Sequence, residues 1–357
     1  VRYAKQWVEQ VKRKATRKAK VNTQVFGVGI DGDAIFAPRF IAPQIPPGGQ
    51  DGTELQNVAA LVRFVSLVPF LDDWQAFVEG GDDVWSTSQQ FLDIAAGDWE
   101  EHAILLCNYL SWLFRDRPSV EPYIIMGDGI PEGATVYVLL VDHSSTSRLL
   151  FNASTGRTYN INDSNCPLRE VSLVMNDRNI WANIQENGAP WKVRWNFENT
   201  KDWTPFWTSR IPRIELSSVQ TEVLNYDRFH RRFVSYLEGE ISDQIQKSMR
   251  RWRAKRGTTR FNKIVGRKLR SLLESLEEQR LMGFPGGVGA VIHSHLEALR
   301  ETMANNDVFG FPLNMTFTEM DAILRTVKNT DIHNTTLDNT TFALGVLVVP
   351  YTSKIFS

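Results

Sequence analysis

The sequence predicts an α+β fold, a buried helix packed on an antiparallel sheet, and three observations carry that prediction. First, Gly97-Asp98-Trp99-Glu100-Glu101-His102-Ala103 runs straight into Ile104-Leu105-Leu106-Cys107-Asn108-Tyr109-Leu110. Asp98 is a good N-cap and Glu101, three residues on, can reach back to its amide, so the pattern is a capping box with Trp99 as the first helical residue. Second, the period changes after Arg115: residues 123–127, 134–141 and 149–152 read as successive strands divided by turns, with Pro131 in the first turn and Ala153-Ser154-Thr155-Gly156 closing the last. Third, 357 residues with 42% hydrophobic and 23% charged content, including 20 Phe and 11 Trp, suffice for one large core or two modest ones.

The same composition removes several classes. Cys107 and Cys166 are too few for a disulfide framework and no leader precedes Val1, so a reducing, cytoplasmic setting is expected, with the sequons at Asn152, Asn314, Asn334 and Asn339 unused. No apolar run reaches the roughly 18 residues that span a bilayer. The net charge of −1 conceals segregation. Residues 2–20 hold eight Lys/Arg against one acid and residues 228–270 hold fourteen against three, whereas residues 51–142 hold three against sixteen. Acidic and basic faces either neutralise one another or leave a basic ridge for a partner.

Taken in order, Tyr3 to Lys20 reads as a basic helix with Trp7, Val8 and Val11 as its apolar stripe, the cut end of something longer. Residues 24–37 form a hairpin around Asp31-Gly32, which tolerates the positive φ of a tight turn. Gly27 and Gly29 lack a nucleotide fingerprint. Pro43 to Gly49 reads as a linker, placing a boundary near Asp51 and dividing residues 1–50 from a core over 51–220. Val58 to Phe70 is helical. Lys192 to Phe197 alternates like a strand in a tryptophan-rich stretch that is read as core. Residues 221–308 form a basic helical subdomain, with one helix from Tyr226 to Trp252 and another from Phe261 to Leu276. Gly283 to Gly289 is a connector without a phosphate-loop Lys. Residues 309–357 add a helix from Thr318 to Thr326 and an apolar strand from Phe342 to Val349 that is expected to return to the main sheet, which would make the helical part an insertion. No metal or cofactor is predicted: His293 and His295 lie two apart on different sides of a helix.

Helix followed by antiparallel meander is the core order of the papain-like fold. The helix start resembles the Gly-Asp-Cys-Glu-Asp-His-Ala phrase of transglutaminase-like enzymes, with Trp99 where the nucleophilic cysteine stands. The resemblance extends further. Residues 83–88, Gly129-Ile130-Pro131-Glu132-Gly133, Cys166-Pro167-Leu168, residues 179–185, Trp252-Arg253-Ala254-Lys255-Arg256, Gly310-Phe311-Pro312-Leu313 and Asp331-Ile332-His333-Asn334 resemble the C-terminal half of the coiled-coil and C2 domain-containing protein 2A family, over roughly residues 58–350. The resemblance implies a component of the ciliary transition zone at the basal body, in the assembly affected in Meckel and Joubert syndromes. Its coiled coil and most of its C2 region would lie before Val1.

The resemblance also assigns the triad positions. The nucleophile position falls on Trp99, whose indole cannot attack a carbonyl. The histidine, which opens a His-x-aromatic strand, falls on Thr135 before Val136-Tyr137, or one residue on at Val136. The acid falls on Asn152, which cannot carry the charge that holds an imidazolium. Three incompetent residues at three independent motifs imply a pseudoenzyme. A rival thiol hydrolase would have to use Cys166, with His143 approaching from its polar loop, or Cys107, which lies on the apolar stripe of the organising helix.

Three functional classes follow. A scaffold or peptide-binding module would use a groove lined by Trp99, Tyr137 and Asn152 with Glu100 at its rim, its partners being other transition-zone proteins. A residual thiol hydrolase is the second class. The third is a polyanion binder that uses Arg250, Arg251, Arg253, Lys255 and Arg256 around Trp252, where acidic tubulin tails or anionic membrane are favoured over nucleic acid. His102 is expected to face solvent or cap the helix.

Overall fold

Two units make up the chain, Val1–Asn225 and Tyr226–Ser357. The structure, a computed structural model, describes residues 2–15, 23–48, 57–73, 84–145, 147–227, 231–282, 290–317, 319–336 and 340–351. The expected boundary at Asp51 and the connector over 283–289 lie outside the described residues.

The first unit opens with α1 (Arg2–Lys14), whose Ala4, Trp7 and Val11 recur at helical spacing and are buried. The Trp7 indole donates to the Pro205 carbonyl at 2.9 Å, tying this helix to the far end of the unit. The Asp31-Gly32 hairpin forms as the sequence predicts, β1 (Phe26–Gly29) against β2 (Ala34–Phe36), with Gly32 at φ +82°. Helix α2 (Val58–Ser66) starts on Asn57, whose side chain caps the Ala60 amide. Strand β3 (Val84–Trp85) joins β1 in parallel, and α3 (Ser88–Ile94) begins with a complete capping box of Thr87 and Gln90. Helix α4 (Trp99–Leu113) is the organising helix.

Seven strands follow: β4 (Val120–Gly129), β5 (Gly133–Asp142), β6 (Arg148–Asn152), β7 (Arg157–Asn160), β8 (Leu168–Met175), β9 (Ile180–Asn183) and β10 (Trp203–Pro205). They form one antiparallel sheet in the order β10-β9-β8-β4-β5-β6-β7. Seven consecutive residues of β5 are buried, so both faces of the sheet are covered. One face carries Tyr123, Ile125, Tyr137, Leu139 and Leu150 in a cluster with Cys166, Val193 and Trp203. No residue of α4 belongs to that cluster, so the helix covers the opposite face, where alternation puts Val136, Val138, Leu140 and Phe151.

Three expectations change. Residues 43–48 are not a free linker, because the chain there is pinned to α4: the Gln44 amide donates to the Asn108 carbonyl at 3.2 Å and the Asn108 amide group donates to Gln44 Oε1 at 3.0 Å. Residues 1–50 therefore belong to the first unit. Residues 192–197 turn instead of pairing as a strand. Their polar atoms go to Gln185 and to the buried Asp202, which Arg194 engages, and the rings of Trp195 and Phe197 fold onto Trp203.

The second unit contains α5 (Arg231–Trp252), β11 (Arg260–Phe261), α6 (Lys263–Met282), α7 (Ala290–Thr302), α8 (Met320–Asn329) and β12 (Thr341–Phe342). The C-terminal apolar run does not return to the main sheet. Among the described residues, Thr341 and Phe342 pair in parallel with β11, and the helices fall in one unit with this segment instead of forming an insertion. Residues 344–348 instead cross the helices of their own unit, Val346 and Val348 packing with Leu237, Ile241 and Ile245 of α5. Close approach requires glycine: a Cβ on Gly266 would meet the Leu344 carbonyl oxygen at 2.6 Å, and one on Gly345 would meet Leu269 Cβ at 2.7 Å. Covering by helices satisfies the run's apolar side chains as a sheet would.

Candidate functional site

The start of α4 is built as the sequence predicts. Asp98 accepts from the Glu100 amide at 3.1 Å, while the two oxygens of Glu101 accept from the Asp98 amide at 3.1 Å and from the Ser86 amide at 3.0 Å. Burial first, then the neighbouring Asp98, push the Glu101 carboxyl well above its usual range. His102 is fully buried, so of the two expectations, facing solvent or capping the helix, the solvent-facing one fails. Its Nδ1 lies 2.5 Å from the Asp98 carbonyl oxygen and its Nε2 3.0 Å from that of Val68. Burial lowers the pKa of His102, and the two carbonyls oppose that shift. The ring packs edge-on against Phe91, so the group locks the helix start to neighbouring segments.

Trp99 is partly buried and meets Phe70 edge to face, with ring centroids 4.7 Å apart. Backbone bonds between Gly97 and the 69–71 segment hold Phe70 there: the Gly97 amide donates to Pro69 at 3.2 Å and the Leu71 amide to Gly97 at 2.9 Å. Phe70 remains 44% exposed. The nucleophile position is thus an aromatic spot at the surface of the unit.

The other expected lining residues are elsewhere. Tyr137 and Asn152 are brought together, Asn152 Nδ2 donating to the Tyr137 hydroxyl at 3.0 Å, and Asn152 Oδ1 accepts from Ser154 and the Thr155 amide. Both are buried, and they lie with Thr135 on the face of the sheet that α4 does not cover. The sheet separates them from Trp99, so the expected groove of Trp99, Tyr137 and Asn152 does not form. Of the two candidate histidine positions, Thr135 lies on this far face and Val136 on the face toward α4, because successive strand residues point to opposite sides. Glu100, partly buried, stays beside Trp99.

Both thiols are buried. Burial raises the Cys107 thiol, and it raises Cys166 to about 11. His143 lies exposed and pairs with Glu121 at 3.1 Å rather than with Cys166.

The expected basic ridge divides into different roles. Arg253 is only 4% exposed, and its Nη1 donates to the carbonyls of His333 at 2.9 Å and Thr335 at 2.7 Å. Arg256 donates to the Asn334 carbonyl, and Arg250 lies over the Phe261 ring at 5.5 Å. Arg253 is therefore a structural residue and not part of an exposed surface. Lys255 and Arg251 are exposed.

Sequence reasoning missed two residues. Asn108, fully buried on α4, bonds the Ala42 amide, the Phe40 carbonyl, Gln44 and Ser88; the signal was an amide amid an apolar helical run. Phe70 had no local signal, because a single aromatic after a helix looks the same whether or not it meets Trp99.

A peptidase-like sheet unit followed by a separate helical unit defines the class. Residues 83–206 match the family described as the CEP76 peptidase-like domain, and residues 231–357 match the Centrosomal protein of 76 kDa C-terminal domain. The chain is 30% identical to Protein CC2D2B of Homo sapiens over 332 residues, 92% of this chain and 22% of that protein. It is 26% identical to Coiled-coil and C2 domain-containing protein 2A of Drosophila melanogaster over 323 residues, 90% of this chain and 23% of that protein. The chain is thus a homologue of Protein CC2D2B and Coiled-coil and C2 domain-containing protein 2A over about nine-tenths of its own length, and spans about a fifth of the length of these relatives.

Proposed function

We propose that this chain carries a catalytically inactive, transglutaminase-like domain that acts as a cytoplasmic scaffold or peptide-binding module at the cilium base, in the transition zone and basal body, supporting cilium assembly. The observation that carries the reading is Trp99 as the first residue of α4, where the enzymes of this kind need a thiolate stabilised by the helix N-terminus. Supporting it, the residues that β5 and β6 turn toward the helix (Val136, Val138, Leu140 and Phe151) offer neither base nor acid. The residual-hydrolase reading is weakened by the burial of both thiols.

The binding element in this reading is the Trp99–Phe70 spot in place of the groove expected from sequence, and its partners are other transition-zone proteins. The purified chain should neither cleave peptides nor cross-link glutamine to amines, and a thiol-directed activity probe should leave it unlabelled. Turnover that Cys166→Ala or Cys107→Ala abolishes would overturn the inactive assignment. For the scaffold role, full-length protein carrying Trp99→Ala and Phe70→Ala should fold and yet lose neighbours in proximity labelling at the ciliary base; an unchanged neighbour set would sink the assignment to this spot.

A further inference from the structure

In the second unit, a cavity of about 230 Å³ opens between α5 and α8, lined by Arg251, Trp252, Asp321, Leu324, Arg325 and Lys328. The α8 residues recur at one-face spacing, so the helix seats them side by side along the seam. The walls are fixed from behind: the Trp252 ring packs on His333 at 5.3 Å between centroids, and buried Arg253 holds the carbonyls of His333 and Thr335.

Charge in the cavity is unbalanced. Three cations line it with one carboxylate, and while Arg325 is engaged by Glu319 at 2.7 Å, Arg251 and Lys328 make no side-chain hydrogen bond or ion pair among the described residues. These exposed cations around one concave space raise the local concentration of anions there. Two guanidinium forks and an ammonium supply more donors than one carboxylate can accept, whereas a phosphomonoester dianion, with three terminal oxygens, can take bonds from all of them. Trp252 and Leu324 give the cavity an apolar floor suited to the C–H face of a ring bearing the phosphate. Exposed Lys255 lies outside the cavity and adds to the field that draws polyanions to this end of α5.

We propose that the cavity between α5 and α8 is a binding site for a phosphomonoester carried on a polyol ring, either free or as a lipid headgroup, with Arg251, Arg325 and Lys328 as its anion ligands. It stands independently of the Trp99–Phe70 reading.

The test is calorimetric titration of the intact chain with inositol trisphosphate, alongside sedimentation with phosphatidylcholine vesicles that contain or lack phosphatidylinositol bisphosphate. Arg251→Glu and Lys328→Glu should each weaken inositol trisphosphate binding by about tenfold or more, the scale of losing one charge-assisted contact. Asp321→Asn should tighten it, and Lys255→Glu, outside the cavity, should change it least. Should a reversal unfold the unit, Arg251→Met and Lys328→Met carry the same expectation. Sedimentation with the inositide vesicles that these variants abolish assigns the lipid headgroup as the source; binding of the soluble compound alone assigns the free polyol phosphate. The proposal is overturned by absence of saturable binding in both arms, by equal loss in Lys255→Glu, or by binding confined to a phosphoserine peptide.

Discussion

At the start of α4, Glu101 is enclosed with both carboxyl oxygens taken by backbone amides, and His102 beside it spans two carbonyls. At the end of α5, five cations fall within residues 250–256, but only Arg253 is enclosed, and its partners are carbonyls from a segment 80 residues away or more. Both places look equally charged in the sequence. The difference lies in where the compensating groups come from: the α4 start draws half of these partners from Asp98, within one helical turn, whereas α5 relies on a distant loop for Arg253 and Arg256 and leaves Arg251 and Lys255 to solvent or ligand. Replacing an enclosed group should therefore be felt by the fold, and replacing an exposed one by whatever binds.

Arg253→Glu gives the largest expected effect. Reversing a buried charge leaves two carbonyls without donors and a carboxylate without a partner, a loss of about 3–5 kcal/mol, read as a shifted denaturation midpoint of the second unit. Retained stability would mean that Arg253 is not enclosed and that the two regions do not differ as described.

Asn108→Ala should come next. It strips partners from the Ala42 amide and from Gln44, at about 1–3 kcal/mol, measurable by denaturant unfolding of the first unit. A near-neutral result would show that residues 42–44 do not depend on α4.

The pH dependence of the α4 start sharpens the comparison. Because burial holds His102 below its ordinary value of 6.5, the unfolded chain takes up the proton first as pH falls. Its contribution to stability is present above that value and is lost on acidification through the lower, folded pKa. Raised Glu101 acts in the opposite direction, since the folded state gains its proton more readily as pH falls. His102→Gln should flatten the acid-side loss in melting temperature, and Glu101→Gln should leave a steeper one. Identical profiles for both variants and the parent chain would remove this cluster from the account.

Arg251→Glu should have the smallest effect on the fold. An exposed arginine with no ion pair contributes little, so the melting temperature should stay nearly unchanged while anion binding falls. A melting shift comparable with that of Arg253→Glu would erase the contrast between the two neighbours.

The sequence alone determined the elements whose signals are local. The capping box at Asp98, the Asp31-Gly32 hairpin, the alternating strands after Arg115 and the long amphipathic helix ending at Trp252 each depend on residues a few positions apart, and each forms. The similarity to the coiled-coil and C2 domain-containing relatives was legible too, because the shared motifs are contiguous phrases. Only the tertiary structure decided which face of β5 meets α4, since a one-residue uncertainty between Thr135 and Val136 reverses the side of the sheet. It also decided that Arg253 is buried while Arg251 is exposed, that Phe70 covers Trp99, and that the C-terminal run crosses α6 at Gly266 instead of returning to the sheet. Those outcomes depend on partners tens of residues away, and an apolar or charged side chain is indifferent, within its own stretch of chain, to which distant surface completes its environment.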